Sequence, residues 1–178
     1  MIDLKEQKYW TPLFILLLAL TARLLFYYIL ARHYGSASFW GPFGDSGAYM
    51  QMAKNFSAGF GFSIMPSPPY LPEAGHVPVF PFVLGLFYGH LFLFHIFQIL
   101  LSASSAVLIY FIAGKFFGNR AAVLSGLFLA LDPVSVFHSN MLLTETVFTF
   151  LLLLSVMFLS FLSSAKIHSR LIILSAVF

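Results

Sequence analysis

The sequence predicts an all-α, polytopic transmembrane helix bundle with amphipathic helices lying at one membrane surface. Composition is the first ground. Hydrophobic residues make up 60% of the chain and charged residues only 8%, with a mean hydropathy of +0.93. Soluble domains carry about 25% charged residues, too many for this composition to match. Continuity is the second: apolar residues fall in runs near the ~20 residues a helix needs to cross the hydrocarbon core. The third is charge placement, with lysines and arginines collecting at the ends of those runs. The net charge of +3 therefore belongs to membrane edges, not to a nucleic-acid surface. The chain has no cysteine, which excludes disulfides and thiolate metal sites.

The first span is expected over residues 12–31, with Pro12 in the first helical turn, where its missing N–H costs nothing. Arg23 interrupts this run, and the run exceeds the apolar core of a secretory signal. A small-residue site near Ala37 leaves cleavage as the alternative. Residues 32–90 form a polar insert with interfacial helices. Asp45 to Ala58 reads as one of them, with Ala48, Tyr49, Met52, Ala53 and Phe56 at helical spacing and Gln51, Lys54, Asn55 and Ser57 on the other face. Such a helix lies in the interface plane. The stretch from Pro78 to about His90 is apolar but short, and Pro81 and Gly85 break it.

Further spans are expected over 91–116, 121–137 and 144–162. Gly118 suits a helix C-cap. Asp132-Pro133 reads as an N-cap followed by proline at the first helical position. Residues 171–178 are apolar but too few to span, so the chain reads as a truncated N-terminal part, cut inside a fifth helix. If 78–90 lies along the interface, then Lys5, Lys8, Lys115, Arg120, Lys166 and Arg170 share one side, against Arg32 and Lys54 on the other. The excess of basic residues on cytoplasmic loops then gives a cytoplasmic N-terminus. Asp45, Glu73, Asp132 and Glu145 fall on the extracytoplasmic face, with His33, His76, His90, His95 and His138 at or near it.

Only six acidic residues exist in the chain. Acids at a bilayer surface have little structural use, so Asp45, Glu73 and Glu145 are candidate functional residues. Asp45 also reads as an N-cap, Glu73 as a solvated loop acid, and Glu145 as a first-turn acid complementing the helix dipole. Capping and catalysis are compatible, because a cap fixes the carboxylate. Asp132 reads as a cap. Arg23 either snorkels or pairs with an acid or an anionic headgroup. His138 and His76 read as metal ligands or as interfacial residues.

The run Asp45-Ser46-x-x-Tyr49-x-x-x-Ala53-x-x-x-Ser57-x-Gly59-x-Gly61-Phe62-Ser63 resembles the first extracytoplasmic loop of GT-C glycosyltransferases that use lipid-linked sugars. These include the protein O-mannosyltransferase, aminoarabinose transferase and Rgt-like families. Glu73-x-x-His76-x-Pro78-x-Phe80-Pro81 is similar to their next element, and Phe116 to Ala122 to their cytoplasmic turn. Leu142-Leu143-Thr144-Glu145-Thr146-Val147-Phe148 resembles their second acidic motif. Two positions depart from the pattern: His76 stands where an arginine is usual, and Val79 where a glycine is.

The resemblance implies an inverting transfer of a hexose or pentose from a polyprenyl-phosphate carrier to an acceptor glycan, lipid or protein on the extracytoplasmic face. It implies Asp45 as the general base or acceptor-positioning residue. It implies donor-phosphate contacts from Glu73, His76, Arg23 and Glu145, and a divalent cation held by Asp45, Glu73 and Glu145. A carboxylate within hydrogen-bond reach of a hydroxyl can take its proton. A leaving lipid phosphate needs cationic stabilisation. An interfacial site leaves the lipid in the bilayer while its headgroup reaches the acids. Two other readings predict different things. A transporter expects charges lining a path within the spans, where only Arg23 is found. A non-catalytic membrane subunit expects the acids to be replaceable by amides.

Overall fold

A computed structural model describes the backbone of residues 4–35 and 44–164, and side chains within 10–35 and 44–162. All regular structure among them is helical: α1 (Leu4–Tyr34), α2 (Ser46–Ser57), α3 (Val79–Leu86), α4 (Leu91–Phe117), α5 (Asn119–Leu131), α6 (Pro133–His138) and α7 (Glu145–Ser164). Three segments are long and apolar enough to cross a membrane: Trp10–Tyr34, Leu91–Phe117 and Glu145–Leu162. The chain is an integral membrane protein. The small-residue site at Ala37, Lys166, Arg170 and the partial span 171–178 lie outside the described residues.

α4 is the central span. Its most apolar window is 56% buried, against 17% for those of α1 and α7. Small residues explain how its neighbours approach. Ala103 and Ala106 of α4 pack with Ile15 and Ala19 of α1 and with Ala122 and Ala130 of α5 in one buried cluster. Lipid offers no hydrophobic drive between helices, so close backbone approach and dispersion must hold them. Gly126 of α5 makes the contact plain: a Cβ there would stand 2.7 Å from Ile15 Cδ1 and 3.3 Å from the Ala106 carbonyl. α4 turns into α5 through Gly118 alone, at φ +85°, a conformation L side chains rarely adopt.

Helix α1 begins earlier than expected, so Pro12 lies inside it and not in its first turn. Within 121–137 the chain breaks where the Asp132-Pro133 cap was expected, giving helices of 13 and 6 residues. There the Asp132 side chain accepts from the Ser135 amide at 2.8 Å and from the Ser135 hydroxyl at 2.6 Å, capping α6. At eight residues, α3 is about 12 Å long and cannot span.

α2 and α3 pack together over the end of the bundle where α4 and α7 begin. Tyr49, Ala53, Phe80, Leu84, Phe94, Leu142 and Val147 form their shared core. A Cβ on Gly85 would meet Phe56 Cδ1 at 2.7 Å, so α3 can approach α2 only with glycine there. The buried face of α2 is Ser46, Tyr49, Met52, Ala53 and Asn55. Asn55 is thus buried, not on the solvent face its polarity suggested. Its amide donates to the carbonyls of Ser63 (2.6 Å) and Met65 (2.8 Å), so the returning loop covers it.

Candidate functional site

The two loop acids meet through a histidine. Asp45 occupies the N-cap position of α2, but its side chain makes no capping hydrogen bond. It stands 66% exposed, with Oδ1 at 3.9 Å from His76 Nε2. On the other side of the ring, His76 Nδ1 lies 3.4 Å from Glu73 Oε1. Glu73 is held on its own account. Its Oε1 accepts from the Gly75 amide at 2.6 Å, and its backbone N–H donates to the Phe62 carbonyl at 2.8 Å. Asp45 is therefore free to act on a solute, while Glu73 is fixed behind the imidazole.

Tyr49 carries this cluster to the acid on α7. It lies one helical turn after Asp45, on the same face. Its ring packs edge-on against His76 (5.5 Å between centroids) and Phe80 (5.1 Å). Burial first, then the Asp45 carboxylate, push its phenol above the ordinary tyrosine range; a hydrogen bond with the Thr144 side chain opposes the rise, and Glu145 adds to it. Tyr49 thus feels both Asp45 and Glu145. Sequence reading placed it on the apolar face of α2 and in the Asp45-Ser46-x-x-Tyr49 motif, but gave it no role at the site.

Glu145 faces inward. Its Oε2 is buried without a hydrogen-bond partner, as is the Thr146 hydroxyl. Both residues line a polar pocket of about 30 Å³ shared with Ser102, Ser105, Ser135 and His138. Asp45, Glu73, His76 and Glu145 accordingly gather at one end of the bundle, but not around one point. Among the described residues no three His, Asp or Glu side chains converge so as to hold a metal ion. The expected ligand set of Asp45, Glu73 and Glu145 does not fit a cation, because His76 fills the gap between the loop acids and Glu145 points into the bundle.

Arg23, expected to help stabilise the donor phosphate, has a fully buried side chain. Its Nε donates to Ser102 Oγ at 2.8 Å, and its Nη1 to the carbonyls of Ala19 (3.0 Å) and Ala130 (2.9 Å). Its Nη2 donates to the Leu129 carbonyl at 3.2 Å. The last carbonyls of a helix have no partner within it, and a cation suits that end of the dipole. Arg23 satisfies the carbonyls that the break before α6 leaves open.

A larger cavity of about 890 Å³ opens between α4, α5 and α7, near Lys115, Asn119 and Ser160. Lys115 there donates to the Ser160 carbonyl and lies 4.8 Å from the Phe161 ring centroid. No carboxylate lines it among the described residues.

The helical membrane bundle gathers the acids of the site at one end, and the class of protein follows from a family match that supports a GT-C-type glycosyltransferase at family level. The family model described as dolichyl-phosphate-mannose-protein mannosyltransferase matches residues 76–178, more than half of the chain. The chain belongs to that family. The match begins at His76, so Asp45 and Glu73 lie ahead of it. No curated protein and no solved structure matches the chain.

Proposed function

We propose that the chain forms the acceptor-activating part of a glycosyltransferase that moves a hexose or pentose from a polyprenyl-phosphate donor to a glycan, lipid or protein, with inversion, on the extracytoplasmic face. The observation that carries this reading is the Asp45–His76–Glu73 arrangement, with Asp45 exposed and unspent on its helix. In the displacement, the acceptor oxygen forms a bond to the anomeric carbon as the bond from that carbon to the phosphate oxygen breaks. The phosphate leaves with the electron pair, and Asp45 takes the acceptor's proton.

His76 supplies N–H donation toward the leaving phosphate from the position where the family has arginine. The Asp45 and Glu73 carboxylates flank the ring at 3.9 and 3.4 Å. The α2 N-terminus, where no amide donates to the Asp45 side chain, adds positive field at the same place. The mostly apolar surface around the loop keeps the carrier lipid in the bilayer.

Full-length protein in membranes, supplied with a polyprenyl-phosphate sugar, is expected to release free polyprenyl phosphate and form a product of inverted anomeric configuration by NMR. A retained configuration overturns the single-displacement reading. Equal lipid turnover in membranes lacking the protein overturns the enzyme reading.

A further inference from the structure

We infer that the small polar pocket between α4, α5–α6 and α7 is a site for an internal water that links Arg23 to Glu145 through Ser102. The volume suits it: a water occupies about 10–15 Å³, and a water's centre has about 30 Å³ to move in here. Thr146, 5% exposed, presents an unpartnered hydroxyl to it, and Glu145 presents an unpartnered, buried Oε2. Buried polar atoms of this kind find partners, and water is the partner that fits.

The hydroxyls and carboxylate of the wall match a water, beside His138 and Thr149, which also line the pocket. Ser102 Oγ accepts from Arg23 Nε, which leaves its hydroxyl proton to donate into the pocket. The Ser105 and Ser135 hydroxyls donate elsewhere, to the Leu101 carbonyl and to Asp132 Oδ2, which leaves their lone pairs to accept. Glu145 Oε2 only accepts when ionised, and Thr146 can do either. A water takes one or two hydrogen bonds from such a wall and gives two back. A bare cation would meet a serine proton polarised by a neighbouring guanidinium.

The water closes the chain Arg23–Ser102–water–Glu145. A buried cation on α1 is then joined to an acid at the start of α7 without touching it. Arg23 and Ser102 become positioning residues that hold the Glu145 carboxylate inward. This inference stands on the pocket and does not require that Glu145 take part in sugar transfer.

The test is a double-mutant cycle in the full-length protein, read by thermal unfolding in detergent. Ser102→Ala and Thr146→Val each remove one partner of the water. The double variant is expected to lose little more than the larger single loss, because either change alone releases the water. Strict additivity of the two Tm shifts overturns the proposal. If Ser102→Ala does not fold, Glu145→Gln paired with Thr146→Val serves the same cycle. Replacing sodium by choline is expected to leave the wild-type Tm unchanged. A sodium-dependent rise that Glu145→Gln abolishes overturns water in favour of a cation. Density for an ordered water within hydrogen-bond distance of Thr146 Oγ1 and Glu145 Oε2 confirms it directly.

Discussion

Replacing Arg23 by leucine is expected to unlock the bundle far from any surface. Leucine keeps the buried apolar stem but removes every donor. The Leu129 and Ala130 carbonyls, both taken from Arg23 at 3.2 and 2.9 Å, lose their partner at the end of α5. Each buried acceptor left unmade costs about 1–3 kcal/mol, so the two together cost about 2–6 kcal/mol. Asp132 also loses the cation that acts on it from across the break. Removing a buried charge returns part of its desolvation. That relief is limited, because the guanidinium keeps four of its N–H groups bonded. The net loss is expected to be at least about 2 kcal/mol, a large share of a typical total of roughly 5–15 kcal/mol. Lysine is expected to fall between, since one ammonium cannot reach Ser102, Leu129 and Ala130 together. The assay is thermal unfolding of full-length protein in detergent. An Arg23→Leu variant that unfolds within about a degree of wild type refutes the capping role.

Other substitutions probe the site and its support. Tyr49→Phe removes the hydroxyl between the acids and keeps the ring against His76, so it is expected to lower transfer while leaving expression unchanged. A folded-state pKa raised above the unfolded value gives stability that is present below the ordinary tyrosine range and is lost as pH rises through the folded value. The wild type should therefore lose stability at strongly alkaline pH, and Tyr49→Phe should flatten that loss in a Tm-against-pH series. Gly126→Leu forces side-chain atoms into the Ile15 and Ala106 contacts and is expected to cost about 1–3 kcal/mol by the same unfolding assay. His76→Ala is expected to slow transfer strongly. His76→Arg, which places the family's usual residue there, should keep transfer.

Much of the fold was legible because membrane burial writes itself as length and continuity. α4 and α7 follow from unbroken apolar runs, and the α6 cap from Asp132-Pro133. The site was legible in part. Asp45, Glu73 and Glu145 stand out because acids are rare here, and sequence order placed the first two in one loop. What sequence could not supply were partners distant along the chain. Arg23 finds its carbonyls 106 and 107 residues away, so nothing near it announces a helix cap. Asn55 looked solvent-facing because the loop that covers it returns only in three dimensions. Sequence order could not show that, among the described residues, Asp45, Glu73 and Glu145 do not converge on one point.

The most direct measurement of the central claim compares Asp45→Asn with wild type in the full-length protein. Asparagine keeps the size of the side chain, and Asp45 makes no capping bond whose loss could disturb α2. The variant is expected to insert, unfold at the wild-type temperature and bind the polyprenyl-phosphate sugar, yet to transfer sugar at least about a hundred-fold more slowly, the scale of a lost general base. Transfer by Asp45→Asn at the wild-type rate would contradict the account.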